Sequence, residues 1–409
     1  MQLSERAAIP CNLCGETEVT VLSRRSRSGR PLRTVACISC GLAWSDPRPH
    51  NARRFYEQEY RVEYKRTFTP KPKHVLRAGR VALARLQKIA AYVRPGLRAL
   101  DVGSGGGEFA YLLRSRGCTV TGVEPNRGYA EFARREFGLE IVRGFIDEVT
   151  LPPASFDLIT IWHVLEHTED PGAVLAHLRA ALKPEGVLVV EVPNVEATCQ
   201  APRSTFHEAH LYSFNGACLQ ALAQKAGLRT IDLSLSSDGG NILAIFCPAA
   251  ASAQRSRWAL PGNHARVTGV VQAHARRPYW LTSHPYRRAA GRLRRTVAER
   301  LALLGAPTAR ALLDRLYRQA ESDPMRLRLL WPSLAGLYAL AIVVEEVFVD
   351  NLLPAHGFSE QQALLLFFVL QAASLAAVLW QAERTAAPGP QRAAAFAAAL
   401  PAFAVPAYC

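Results

Sequence analysis

Residues 100–109, LDVGSGGGEF, constrain the fold more than any other part of the chain. An apolar run with Leu97, Ala99 and Leu100 leads into Asp101. Gly103, Gly105 and Gly107 follow at alternate positions, and then AYLLRS has helical spacing. The pattern is that of a buried strand, a tight turn and a helix start. Glycine belongs where the backbone takes unusual dihedrals or lies directly against a ligand. The helix that follows offers unpaired N–H groups at its first turn.

The pattern continues downstream. TVTGVE (119–124) is a second apolar strand ending in Glu124, 17 residues after Gly107. FDLITIW (156–162) and GVLVVEVPN (186–194) are a third and a fourth, with a helical segment, VLAHLRAAL (174–182), between them. Strands alternating with helices predict an α/β chain with a doubly wound, Rossmann-like parallel sheet. Its ligand then lies at the carboxyl ends of the strands, where an acid such as Glu124 can accept hydrogen bonds from both ribose hydroxyls of a nucleoside.

DVGSGGG, the strand-end Glu124, SFDLITIWHVLEHTEDP and GVLVVEVPN, in that order, resemble the class I S-adenosylmethionine-dependent methyltransferases, and among them the ubiquinone-biosynthesis-like branch. The resemblance covers roughly residues 75 to 248. It implies S-adenosylmethionine as cofactor, with Asp101, Gly103, Gly105 and Gly107 flanking its methionine part and Glu124 holding its ribose. The loop at Phe145, Ile146 and Asp147 would cover the adenine. Many relatives carry an acid directly after the glycine equivalent to Gly144. Phe145 stands there in this chain, which leaves Asp147 as the substitute. His163, just past the third strand, completes the expected cofactor set. A nicotinamide-dependent reading would need a glycine or alanine at position 108. Glu108 stands there, a negative charge beside a pyrophosphate but a compatible one beside a sulfonium.

Cys11, Cys14, Cys37 and Cys40 form two C-x-x-C pairs, each followed by a glycine (Gly15, Gly41). This spacing is that of a structural four-cysteine zinc ribbon. Four thiolates complete a tetrahedral ion and leave no position open for catalysis. Nine cysteines and no secretory signal fit a reducing cytosol better than a disulfide framework. Some sugar methyltransferases carry a similar ribbon ahead of the same catalytic domain. Cys118, Cys199, Cys218 and Cys247 show no pairing pattern and fit the role of small buried hydrophobes.

Charge and hydropathy divide the rest. Residues 251–330 hold 16 Arg and 4 acids, and RRAAGRLRRTVAERLALLG (287–305) sets apolar positions at helical spacing beside a basic face. Such helices lie on anionic membrane surfaces or simply present a solvated face. Two charge-free runs follow, 329–344 and 363–380, with four acids and no Lys or Arg between them. The second, 18 residues long, spans roughly 27 Å as a helix, near the bilayer core of about 30 Å. Basic flanks and an acidic loop fit a transmembrane hairpin with both ends cytoplasmic. A soluble helical pair is the alternative. The expected organisation is a zinc ribbon (1–50), a methyltransferase domain (51–250), an Arg-rich linker with amphipathic helices (251–328), and an apolar hairpin with an Ala/Pro-rich tail (329–409).

Methyl transfer often requires removal of a proton from the acceptor, and histidine suits this near neutral pH. His167, in WHVLEHTEDP, and the run Phe206-His207-Glu208-Ala209-His210 both follow strand ends. His210, His167 and Glu208 are the expected catalytic residues. Zinc-ribbon sugar methyltransferases have Tyr-His-Glu-His at the second place. Phe206 and the intervening Ala209 depart from it, which turns the expectation from carbon towards an oxygen or nitrogen acceptor. The expected protein is a cytoplasmic methyltransferase held at the membrane. Its acceptor would be a small molecule, a sugar nucleotide or a lipid-linked compound. An RNA-binding methyltransferase using ribbon and arginine block, and a non-enzymatic membrane scaffold, are the alternatives. The first lacks interleaved aromatic and basic residues for base stacking.

Overall fold

The computed structural model describes residues 5–48, 68–249, 258–276, 278–286, 299 and 308–322. The chain divides into two compact units. The first comprises Met1–Gly291 and Ala306–Tyr317, and the second comprises Arg292–Gly305 and Arg318–Cys409. Most of the second, including the apolar runs 329–344 and 363–380, lies outside the described residues, as does nearly all of the basic segment 287–305. Among the described residues no helix is long and apolar enough to cross a membrane.

The first unit contains two sheets. The larger has seven strands: β5 (Arg98–Val102), β6 (Thr119–Val123), β7 (Glu140–Val142), β8 (Phe156–Trp162), β9 (Leu182–Pro193), β11 (Leu228–Leu235) and β12 (Asn241–Pro248). Their spatial order is β11-β12-β9-β8-β5-β6-β7. The pairs from β9 to β7 are all parallel, whereas β12 runs antiparallel to both β9 and β11. The four strands expected from sequence are therefore present, and β12 and β11 extend the sheet at one edge and β7 at the other. The order reverses at β5, with β6 on one side and β8 on the other, so a crevice opens beyond the carboxyl end of β5.

Helices α1 (Pro72–Lys88), α2 (Glu108–Ser115), α3 (Arg127–Phe137), α4 (Pro171–Ala181) and α5 (Gly216–Lys225) flank this sheet. Their ends are written locally. Asn126, Asp170 and Asn215 each accept a hydrogen bond from a first-turn N–H, of Tyr129, Ala173 and Cys218 respectively. Side-chain caps of this kind satisfy donors that the helix cannot. Gly138 closes α3 in the left-handed conformation, φ +64°. The strands between read as apolar runs because both sheet faces are covered; Leu100, Ile159, Ile161, Leu188 and Val190 are all fully buried.

The smaller sheet has the order β1-β2-β3-β4-β10: β1 (Glu5–Arg6), β2 (Glu18–Arg25), β3 (Pro31–Cys37), β4 (Ala43–Ser45) and β10 (Tyr212–Ser213). Its last strand comes from the segment between β9 and β11 of the larger sheet, with Tyr212 opposite Trp44 and Ser213 opposite Ala43. The cysteine segment is thus built into the same unit. Lys225 Nζ donates to the carbonyls of Asn12 and Leu13, and the buried Asn263 side chain donates to the carbonyl of Cys40.

Candidate active site and cysteine centre

The turn after β5 has to be glycine-rich for steric as well as conformational reasons. Gly103 has φ +70°, and a Cβ there would lie 2.2 Å from a methyl group of Val164. The Gly105 N–H donates to one oxygen of Glu124 at 2.8 Å, and the Asn126 N–H donates to the other at 3.0 Å. Glu124, at the end of β6, is therefore buried and braced across the turn. Its chain neighbours Val123 and Pro125 face a narrow cavity of about 50 Å³, lined also by Phe145, Ile146 and Asp147.

A second cavity, of about 830 Å³, lies on the other side of the turn. Asp101, Gly103, Ser104, Gly105, His163, His167 and His210 line it, and α1 adds Lys73, His74, Arg77 and Arg85. The two cavities share Gly103, Val164 and His167. Asp101 is buried and accepts a hydrogen bond from Thr160 Oγ1 at 2.8 Å. Burial pushes its carboxyl up to about 7, so a positive charge entering the cavity would favour the ionised form. The Ser104 hydroxyl is buried with no hydrogen-bond partner.

The histidines converge here from two loops. His163 directly follows β8 in a left-handed backbone conformation, φ +55°, uncommon for a residue with a side chain. This turn sets its ring between Glu166 (3.4 Å) and Glu191 (3.2 Å). Burial opposes the charged ring, but the two carboxylates outweigh it and raise its pKa to about 9. Burial likewise opposes ionisation of Glu166 and Glu191. His163 pulls both down to about 2, helped by His167 and His210 at Glu166 and by Lys88 and Arg85 at Glu191.

His167 Nδ1–H donates to the carbonyl of Ala209 at 2.7 Å, and its Nε2 lies 3.8 Å from Glu166. The rings of His167 and His210 meet edge to face, with centroids 4.9 Å apart; His207 stacks on His210 at the same separation. Burial, then the neighbouring His167, drives the pKa of His210 well below 6.5. His207 falls to about 4, first by burial and then through Arg27. Both rings are therefore neutral, proton-accepting groups near neutral pH.

Most of the residues expected from sequence are brought together. Asp101, Gly103, Gly105, His163, His167 and His210 line the larger cavity and Asp147 the smaller. Three expected residues line neither cavity: Glu124, buried behind the turn it braces, Gly107 and Glu208. At Gly107 a Cβ would meet Leu139 and Ala133 at 2.7 and 2.8 Å, so it serves close packing of α2 against α3. The Glu208 carboxylate accepts hydrogen bonds from Ser26 and Ser28 in the β2–β3 turn, because Glu208 and His210 lean to different sides of their loop. Sequence reasoning missed Glu191, Lys88 and Arg85. A lone glutamate inside the apolar run LVVEVP was the available signal for the first. The other two lie on a helix that only the fold brings to the site.

The four cysteines gather beside the small sheet, with Cys37 at the end of β3. Their ligand atoms all lie within 4.8 Å of one another, with Cys11–Cys40, Cys14–Cys37 and Cys14–Cys40 sulfur separations of 3.4, 3.3 and 3.6 Å. None forms a disulfide, which would bring sulfurs to about 2.05 Å. Four thiolates at about 2.3 Å around a tetrahedral ion sit about 3.8 Å apart, so this donor set fits zinc.

Residues 74–233 match the family model described as a methyltransferase domain. The ubiquinone biosynthesis O-methyltransferase of Actinobacillus pleuropneumoniae serotype 5b (strain L20) is 37% identical over 109 residues, covering 24% of this chain and 47% of that protein. The protein of the same name from Xanthomonas campestris pv. campestris (strain B100) is 34% identical over 131 residues, 30% of this chain and 53% of the other. The chain thus spans about half the length of the curated relatives it matches. A solved structure described as a SAM-dependent methyltransferase, possible histamine N-methyltransferase, from Thermotoga maritima is 25% identical. It covers 47% of this chain and 99% of its own, with a TM-score of 0.37.

Proposed function

We propose that this chain, whose residues 74–233 match a methyltransferase domain, is a class I S-adenosylmethionine-dependent methyltransferase that methylates a small-molecule, sugar-nucleotide or lipid-linked acceptor at the cytoplasmic face of a membrane. One observation carries the reading: the glycine turn braced by Glu124 opens onto the same cavity as His167 and His210.

S-adenosylmethionine, when bound, supplies an activated methyl group on a good leaving group. Gly103 and Gly105 let the backbone approach the methionine part, with Asp101 and the Ser104 hydroxyl beside it. Lys73 and Arg77, one turn apart on α1, bring positive charge to the larger cavity for carboxylate or phosphate groups. Glu124 serves the ribose and the loop at Asp147 the adenine. His210 takes the acceptor's proton on a ring nitrogen, with His167, fixed through Nδ1 by the Ala209 carbonyl, next to it. The names of the curated relatives support an oxygen acceptor. Cys11, Cys14, Cys37 and Cys40 would hold a structural zinc ion that supplies stability and no step of the reaction.

Glu124→Ala is expected to weaken S-adenosylmethionine binding by about 1.5–3 kcal/mol, the range for charge-assisted hydrogen bonds, as measured by calorimetry. Glu124→Gln keeps an acceptor for the Gly105 N–H and separates ribose recognition from bracing of the turn. Unchanged affinity in both variants would remove Glu124 from the cofactor site. Tight nicotinamide nucleotide binding with none of S-adenosylmethionine would overturn the whole reading.

The membrane part of the proposal rests on sequence, on the runs 329–344 and 363–380 and the arginine-rich segment before them. Full-length protein is expected to stay in the membrane pellet through an alkaline carbonate wash. Removing 326–409 is expected to release protein that still binds S-adenosylmethionine, because every cofactor motif lies before residue 250. Full-length protein in the soluble fraction without detergent would exclude the hairpin.

A further inference from the structure

The segment that carries His210 is held from outside the catalytic sheet. At its start the Arg27 N–H donates to the Phe206 carbonyl at 2.7 Å. At its end the Ser45 N–H donates to the Leu211 carbonyl at 2.9 Å, the Ser45 hydroxyl to the His210 carbonyl at 3.2 Å, and Tyr212–Ser213 pairs with β4. Every one of these partners belongs to the amino-terminal module, Arg27 to its β2–β3 turn and Ser45 to β4. Between the two clamps, Glu208 reaches into the β2–β3 turn, where the Ser26 hydroxyl donates to its Oε1 at 2.5 Å and the Ser28 hydroxyl donates to the same oxygen. The two residues that flank this carboxylate serve the histidine cluster, although His207 Nδ1 also lies 3.8 Å from Glu208 Oε2. His207 is buried, with Nδ1 accepting from the Ala209 N–H, and stacks on His210. The Ala209 carbonyl orients His167.

We propose that Glu208 is a positioning residue: through Ser26 and Ser28 it latches the 206–213 segment to the amino-terminal sheet and so holds His207 and His210 against His167 at the cavity. The cysteine-bearing module is then part of the active-site scaffold. This rests on the reading of His210 as the proton acceptor, and a carboxylate is the right group for the task. Two hydroxyl donors converging on one ionised oxygen make stronger bonds than neutral pairs. Without them the segment would keep its end clamps, the His167 bond to the Ala209 carbonyl and the Leu211 N–H bond to the Glu166 carbonyl, but no side-chain tie to the β2–β3 turn.

The test uses full-length protein and reads the imidazoles by histidine-selective NMR across pH, alongside amide exchange of the segment. With the latch closed, His207 titrates near 4 and His210 well below 6.5. In Glu208→Ala the segment opens to water, and both are expected to titrate closer to 6.5. Amide exchange at Ser45 and Leu211 should accelerate by about tenfold or more. The direction of the His207 shift is decisive. Glu208 by its charge raises the pKa of His207, so loss of the charge alone would move the titration further down. Glu208→Gln, which keeps an acceptor oxygen, should restore the protected state. The double variant Ser26→Ala, Ser28→Ala, which keeps the charge, should open it. This pair also decides the matter if Glu208→Ala fails to fold. A downward or absent shift with unchanged exchange in the folded variants overturns the latch. Calorimetry of S-adenosylmethionine on the same samples keeps the two ideas apart. Binding with unmoved histidines sinks the latch alone, whereas no binding in the unaltered protein sinks the methyltransferase reading.

Discussion

His210→Ala is expected to cut methyl transfer by about 10²–10⁴-fold, the usual worth of a positioned general base, while leaving S-adenosylmethionine affinity nearly intact. The measurement is incorporation of label from S-adenosylmethionine into membrane and soluble metabolite fractions. The pH profile carries the same argument. Burial and His167 hold the pKa of His210 well below 6.5, so its ring remains unprotonated from about pH 6 to 8. The rate should therefore show no acid limb at the ordinary histidine pKa. His163 behaves in the opposite sense. Its pKa is raised to about 9 by Glu166 and Glu191, so its ion pairs contribute fully below its ordinary 6.5 and are lost as pH rises through 9. An alkaline fall in stability should follow, and His163→Gln should abolish it. Near-normal turnover of His210→Ala with a weakly acidic acceptor would transfer the role to His167.

Purified protein is expected to carry one zinc ion per chain, and Cys37→Ser or chelation should collapse the amino-terminal module. Zinc binding at four-cysteine sites is worth about 10–16 kcal/mol in small peptides, more than the entire stability of many domains, about 5–15 kcal/mol. From the sequence alone, a closed site should cost stability and spare the chemical step. The structure changes that expectation. β4 pairs with β10, and the β2–β3 turn holds Phe206 and Glu208, so loss of the metal should release the His210 segment and lower turnover as well. Elemental analysis, amide exchange over residues 18–45 and the labelling assay would together show this. Metal-free protein with reduced cysteines and unaltered stability would refute the zinc site. Lost zinc with intact turnover would refute the coupling.

The glycine turn and its brace were legible in the sequence because their geometry is local. The Gly103–Gly105 turn, Asp101 before it and Glu124 at the next strand end lie within 24 residues. Each is set by an adjacent strand whose apolar run marks its length and exit. The strands at 119–124 and 156–162 appear almost as read. Gly107 shared the motif but not its role, because packing against Leu139 and Ala133 is invisible without α3 in place.

The residues themselves, then, determined a doubly wound sheet, a glycine turn lining a cavity and four thiols spaced for one metal. Burial periodicity, glycine stereochemistry and short-range spacing suffice for these. Only the tertiary structure decided which way each polar side chain of the 206–210 run points. It also set His163 between Glu166 and Glu191, delivered Lys88 and Arg85 from α1, and joined the cysteine module to the unit of the larger sheet through β10. These contacts join residues as far apart as Ser26 and Glu208. Local propensity fixes no such distance; it follows from which sheet edge is left open for another strand to pair with, and from which carboxylates the packed core leaves in need of a donor.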